Sequence, residues 1–342
     1  MTAGAGQAQV SGTRAAPGVR TAGRSGARRA RSGRAGSGRV GSGRVGFGGM
    51  HRSARRTLTG WAFAGPATAI VVGLSIFPAA WAFFISRTRW DGIGEPRALG
   101  WRNYSRMAQD TDLLAAARHT LLLTAVFVPA VVVLGMLVAT ALNQRIRFIG
   151  FYRTCIFIPY VASAAATGIL ASYVFNPQFG AANEVLRRLG LPAQGFLESP
   201  HQALFVIVVI ALWGEVGFTA VIYLAALQDV PKELTEAAVV DGAGPWRVFW
   251  HVTFPQLRPV TVFVAVWETI IAIQLFDLVY TTTRGGPLNT TQTVVYYIYE
   301  LAFQTHRLGY GAAVAYALFA VTLVLTAVVI WYSRRNNRSE AF

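Results

Sequence analysis

Long apolar blocks dominate the chain, and they are too uniform to be the buried faces of a soluble domain. Six follow one another, at Trp61–Ile85, Thr120–Leu142, Thr154–Phe175, Ala203–Leu227, Val260–Thr282 and Ala312–Tyr332. Each is near the roughly 20 residues that a helix needs to cross the hydrocarbon of a bilayer. Lipid offers the backbone no hydrogen-bond partner, so such a segment is expected to be helical. Prolines at 66, 78, 129 and 159 fall inside these blocks, where neighbouring helices can satisfy the carbonyls they free. The first block exceeds a signal-peptide core and lacks a small-residue cleavage site, so it is expected to stay as an anchor. The pattern predicts an all-α membrane protein with six transmembrane helices and a long polar segment between the fourth and fifth.

What precedes the first block is of another kind. Residues 1–49 are mostly Gly, Ala, Ser and Arg in loose repeats such as Ser32-Gly33-Arg34 and Ser42-Gly43-Arg44. They hold too little apolar surface to offset the entropy of ordering and are expected to be disordered. Met50 opens a compact basic lead-in, His51-Arg52-Ser53-Ala54-Arg55-Arg56, and is a candidate natural start. The expected organisation is a cytoplasmic tail at 1–56, a six-helix domain at 57–335 and a cytoplasmic C-terminal tail at 336–342.

Composition agrees with a lipid solvent. Of 342 residues, 54% are hydrophobic and only 13% charged, against about 25% charged in a soluble domain. The net charge of +16 belongs mainly to the tail, since residues 1–56 hold 12 arginines and no acid. Cys155 is the single cysteine and reads as a small buried side chain, without partners for a disulfide or a zinc site. The five histidines are scattered, so no metal site is expected. Lys232 is the single lysine and follows Val230-Pro231 instead of a glycine-rich loop, so a nucleotide-binding phosphate loop is absent.

Basic residues set the orientation. With the N-terminus inside, the cytoplasmic side holds the tail arginines, Arg145, Arg147, Arg153, the 228–259 segment, Arg334, Arg335 and Arg338. Arg87 and Arg89, just after the first block, argue weakly the other way. The weight favours both termini in the cytoplasm, with Trp90, Trp101 and Tyr104 in the outer interfacial region.

The 228–259 segment carries the strongest pattern. Pro231 stands at a favourable helix start, and Glu233 and Glu236 follow in the turns where the helix dipole favours acids. Ala237 and Ala238 are helix formers without bulk, Asp241-Gly242-Ala243-Gly244 ends the helix, and Pro245 starts the next. The result is a helix–turn–helix with small residues at its corner, suited to close approach by another backbone.

Here the chain resembles the inner-membrane permeases of ATP-binding-cassette importers, particularly the carbohydrate-uptake group with its maltose-type and glycerol-phosphate-type systems. Their EAA loop is matched by Glu236-Ala237-Ala238, Asp241-Gly242-Ala243, Phe249 and Pro255, with Phe254 where leucine is usual. Trp90-Asp91-Gly92, Gly100-Trp101-Arg102-Asn103-Tyr104, Ile158-Pro159-Tyr160, Asn176-Pro177-Gln178-Phe179-Gly180, Phe276-Asp277 and Gly285-Gly286-Pro287 extend the likeness over most of 57–333. Arg87, Arg89 and Tyr173 depart from it.

The resemblance implies that Glu236, Ala237, Ala238, Asp241, Gly242, Ala243 and Pro255 form a cytoplasmic coupling element that docks in a separate ATPase dimer. That dimer would bind ATP and Mg²⁺, leaving this chain without a cofactor or catalytic residue. It also implies an extracytoplasmic binding protein that delivers a sugar or sugar-like solute, and a second permease completing the pathway, more often a non-identical one than a second copy of this chain. Within the spans, Glu215, Glu268, Gln274 and Asp277 are costly in lipid and tend to face a cavity. Gln274 and Asp277, three apart, would share a helix face that Tyr280 continues, with Trp213 or Tyr280 stacking on a sugar ring. Interhelical polar packing is the competing role for these groups. A polyamine, phosphate or amino acid cargo is the alternative within transport. A membrane-embedded enzyme finds no nucleophile–base pair or paired catalytic carboxylates, and an arginine-tail scaffold for RNA or lipid is the remaining alternative.

Overall fold

Eight residues on one stripe explain how the longest helix sits. The computed structural model describes residues 64–144 and 147–338. The readings of the tail at 1–56, of Arg145 and of the last four residues therefore lie outside the described residues. In α3 (Thr111–Leu142) the buried positions are Ala116, Thr120, Leu123, Phe127, Val131, Gly135, Ala139 and Leu142. They recur every three or four residues, the helical period, and face the bundle. Leu121, Val133 and Leu137 on the other side stay open, which costs nothing when the solvent is lipid. The helix begins at Thr111, ahead of its apolar block, because Asp110 caps it: one carboxylate oxygen accepts the amides of Asp112 and Leu113, both at 3.1 Å.

The described residues are predominantly helical. Five helices are long and apolar enough to cross a membrane, and a sixth span is possible if one bent pair counts as a crossing. The first is α1 (Ala64–Ser86). A two-residue antiparallel ribbon follows, β1 (Thr88–Arg89) with β2 (Arg97–Ala98), then α2 (Arg102–Met107) and α3. The bent pair is α4 (Ile149–Val161) and α5 (Ala164–Val174), at 97° to each other. After α6 (Ala181–Arg188) come α7 (Ala203–Gln228) and α8 (Lys232–Val240). A long helix, α9 (245–273), and the short α10 (Asp277–Thr281) follow. The chain closes with α11 (Val294–Tyr299) and α12 (Leu308–Arg338).

The core lies between α3 and α7, which α9 and α4 flank. One cluster joins Leu123, Phe127 and Val131 to Leu204, Ile207, Val208 and Val279; a second joins Leu142, Tyr223, Leu227, Leu257 and Val264. α1 and α12 pack on each other at the periphery. Glycine lets the central helices touch. A Cβ on Gly135 would collide with the Thr219 side chain, and one on Gly217 with the Ile156 carbonyl oxygen.

Two proline-bearing helices share a device. In α1 a π turn at Val72–Ile76 stands two residues before Pro78, and in α9 one at Phe249–Thr253 stands two residues before Pro255. In each, the residue before proline reaches back five positions: the Phe77 amide bonds the Val72 carbonyl and the Phe254 amide the Phe249 carbonyl. The wider turn relieves the clash of the ring with the preceding carbonyl and keeps the helix running.

Four expectations need correction. The ribbon departs from a purely α fold; two-residue strands leave no alternation to read. It is held from below by Asn103, whose amide donates to the carbonyls of Ser86 and Thr88 at 2.8 and 2.9 Å. The third apolar block is not one straight helix: α4 runs through Pro159 to Val161, and the chain then turns at Ala162 and Ser163, which are extended. The helix that Pro245 opens does not stop short of the fifth block at Val260 but runs on into it as the first part of α9. Cys155 is exposed on α4, not buried, as an apolar side chain on the outer face of a membrane helix can be.

Asp110 also ties three elements together. Its second carboxylate oxygen accepts the hydroxyls of Tyr310 at 2.6 Å and Tyr297 at 2.9 Å, joining α3 to α11 and α12. Burial works to raise its pKa, but the Tyr310 hydroxyl, the Leu113 amide and the Tyr297 hydroxyl together hold it below the usual carboxylate value. A depressed folded pKa gives stability that is present above the unfolded value of about 4 and lost as pH falls through the lower folded one. Asp110→Ala is expected to cost about 2 kcal/mol and to flatten the acid limb of thermal stability below about pH 4. A melting series from pH 3 to 7 on both proteins checks this, and parallel curves would refute it.

Candidate functional site

Two places in this fold gather the residues that carry chemistry. The first is the corner between α8 and α9. α8 begins after Pro231, with Glu233 in its first turn. It ends in a hydrogen-bonded reversal: the Gly242 amide bonds the Val239 carbonyl at 3.0 Å and the Ala243 amide the Ala238 carbonyl at 2.9 Å. This Schellman closure needs a left-handed residue, and Gly242 supplies it with φ +80°. Gly244 is then the N-cap of α9 and Pro245 its first residue.

Glu236, Ala237, Asp241 and Gly242 are exposed at this corner, and Ala238 and Ala243 are half-buried beside them. Val240 is 87% exposed and Trp246 74%, so an apolar rim surrounds the small residues. Pro255 is not part of the corner. It lies in the body of α9, where its role is the π turn described above.

The second place is a cavity of about 300 Å³ where both interrupted helices meet. Pro159, Tyr160, Ala162 and Ala164 line it from the break between α4 and α5. Gln274, Leu275, Phe276 and Asp277 line it from the break between α9 and α10, and Gly214 and Glu215 from α7. Gln274 is the non-helical cap of α9, and α10 restarts at Asp277. The expected shared helix face for Gln274 and Asp277 is therefore corrected: the break, and not helical spacing, brings them to one wall.

Glu215 is half-buried, and one of its carboxylate oxygens is buried without a hydrogen-bond partner among the described residues. Asp277 and Gln274 are exposed. The wall thus offers acceptors and an amide in an otherwise apolar setting, together with the rings of Tyr160 and Phe276. Tyr160 is held flat against Phe218, ring centroids 4.7 Å apart.

Three of the polar groups expected to face a common path stand elsewhere. Trp213 lines a separate apolar cavity with Leu170, Val174 and Val209. Tyr280 is one ring removed, stacked on Phe276 at 5.3 Å. Glu268 is fully buried between α7 and α9, where one oxygen accepts the Thr219 hydroxyl at 2.7 Å, so it packs helices and does not line the cavity. Tyr160 and Thr167 are the lining residues that reasoning on charge alone passed over; Pro159 inside an apolar block was the available signal. Among the described residues no group of three or more His, Cys, Asp or Glu side chains could hold a metal ion.

Residues 131–338, more than half of the chain, match the family described as "Binding-protein-dependent transport system inner membrane component". The chain belongs to this permease family. The sn-glycerol-3-phosphate transport system permease protein UgpA of Agrobacterium fabrum is 33% identical over 264 residues, covering 77% of this chain and 90% of that protein. The diacetylchitobiose uptake system permease protein NgcF of Streptomyces coelicolor is 35% identical over 294 residues, covering 82% and 83%. A solved bacterial ABC transporter involved in the import of the acidic polysaccharide alginate shares the fold, with a TM-score of 0.74 at 21% identity over 84% of this chain and 98% of that one. The permease is a transport subunit of an ABC importer and not an enzyme. Both places described above, and residues 203–228 between them, lie largely within the matched region.

Proposed function

We propose that this permease carries a sugar or sugar-like solute through the cavity at the two helix breaks, driven from the corner at Gly242. The observation that carries this reading is the meeting of both interrupted helices at one polar-walled cavity among apolar spans. Irregular backbone is tolerated at membrane depth where it lines a cavity, and broken helices there form solute sites. Glu215, Gln274 and Asp277 would hydrogen-bond hydroxyls, with Tyr160 or Phe276 against the apolar face of a ring. The relatives named for glycerol 3-phosphate and diacetylchitobiose favour a hydroxyl-rich cargo over a polyamine, phosphate or amino acid.

In this reading the bent pair α4–α5 is the third of six crossings, and both termini are cytoplasmic. Residues 1–56 and 336–342 are then cytoplasmic tails around the permease domain at 57–335. The corner, with Glu236, Ala237, Ala238, Asp241, Gly242 and Ala243, docks in an ATPase subunit that binds ATP and Mg²⁺. Its small residues allow close approach, and the exposed Val240 and Trp246 supply apolar contact. A second, non-identical permease completes the path, and an extracytoplasmic binding protein delivers the cargo.

Glu215→Gln and Asp277→Asn test the cavity. With the binding protein saturated, each is expected to lower uptake about tenfold, the worth of one hydrogen bond to a charged group, while binding-protein-stimulated ATP hydrolysis persists. Uptake unchanged in both variants would remove the cavity from the pathway.

A further inference from the structure

We propose that Arg153, with the two apolar cavities beside it, is a binding site for one anionic phospholipid. The guanidinium stands near the start of α4, and one of its terminal nitrogens donates to the Leu142 carbonyl at 3.2 Å. Among the described residues its Nε is buried without a hydrogen-bond partner. Glu184 pairs with Arg187 and Arg188, and among the described residues no carboxylate stands within ion-pair distance of Arg153. A cation left in this state at the edge of an apolar surface calls for an anion from outside the chain.

The shape beside it fits a lipid better than a soluble anion. A groove of about 620 Å³ runs from Arg153 and Thr154 along Phe157, Ile158 and Val161, with Val221 of α7 as its other wall. A second cavity of about 270 Å³ shares Arg153 and Val221 and continues past Leu224 to Gln228 at the end of α7. Polar groups therefore sit at one end only. From Arg153 to Val161 a helix climbs roughly 12 Å, which stays inside the roughly 15 Å of hydrocarbon in one leaflet. A phosphodiester on the guanidinium, its chains in the two cavities, matches charge at headgroup depth and apolar surface below it. Basic pockets between membrane helices on the cytoplasmic side take anionic headgroups in this way. The proposal goes beyond the transport role and uses the orientation given above only to assign the leaflet.

The test uses the assembled transporter, purified in detergent with equal phosphatidylglycerol and phosphatidylcholine and read by native mass spectrometry. The wild-type protein is expected to retain phosphatidylglycerol about fivefold over phosphatidylcholine, the worth of one basic side chain at an anionic surface. Arg153→Gln should abolish the preference, Arg153→Lys should keep most of it, and Val161→Trp should expel lipid of both kinds by filling the groove. Should Arg153→Gln fail to assemble, Val161→Trp alone decides, because it leaves the charge in place. Equal retention in the wild type and Val161→Trp would overturn the proposal. So would cross-linking of Val161→Cys to the second permease, which would make the groove a subunit contact. Retention in detergent does not depend on leaflet or on transport, so its failure and that of the functional reading are separable.

Discussion

Gly242→Pro is expected to abolish uptake while the protein still reaches the membrane. The residue sits at φ +80°, and proline is locked near −65°. Beyond its chain neighbours, no atom of the described residues lies within 4 Å of where a Cβ at this position would stand, so the damage is conformational and not a clash. A misfit of about 3 kcal/mol leaves the closed corner populated roughly a hundredfold less. The Schellman bonds from Gly242 and Ala243 would open, and α8 would lose its direction relative to α9. Gly242→Asn is the control, since asparagine tolerates the left-handed region, and it should keep most of the activity. Glu236→Lys, which reverses an exposed charge on α8, should also stop uptake. The measurement is binding-protein-driven uptake with the amount of protein in the membrane read in parallel. Normal uptake in both Gly242→Pro and Glu236→Lys would remove the corner from the mechanism.

The second large effect is expected at Gly217. A Cβ there would meet the Ile156 carbonyl oxygen and lie 3.2 Å from the Phe157 Cα. These are backbone atoms, so α4 itself must move. Gly217→Val is expected to cost about 3 kcal/mol by overpacking and to lower both the melting temperature and the amount of assembled transporter. At Gly214, one turn earlier on the same helix, no atom of another described element lies within 4 Å of where a Cβ would stand, and Gly214→Ala should melt like the wild type. Similar melting of Gly217→Val and Gly214→Ala would show that α4 and α7 do not approach closely in the membrane.

The apolar blocks announced the spans because hydrocarbon thickness sets their length, and residues 203–228 are the clearest case. The corner was equally legible: Pro231, Gly242 and Pro245 each have a backbone preference that admits few positions in a helix pair. The breaks were not. Apolar residues surround Ala162 and Ser163 as they surround the middle of any span, and periodicity has nothing to report where the chain is apolar all round. Pro159 allowed a kink but did not require one, since Pro129 lies within α3 without ending it. Gln274 to Phe276 carried no glycine or proline to mark the end of α9. The site was therefore half visible. Its polar members, Glu215, Gln274 and Asp277, stood out as charges or amides in lipid, whereas the reason they converge depends on backbone irregularities without a residue signature. Glu268 misled by the same logic, because an acid in a span can bond a neighbouring helix through one oxygen and not line the cavity at all.

α9 runs without interruption from Pro245, next to the corner, to Ile273, next to the cavity. A helix of that many residues is roughly 43 Å long. Tilting such a rod by about 10° carries its far tip roughly 7 Å sideways. A tilt of modest angle at the corner thus becomes a wide stroke at the cavity, and the stiffness of a single shaft sets how much of it arrives.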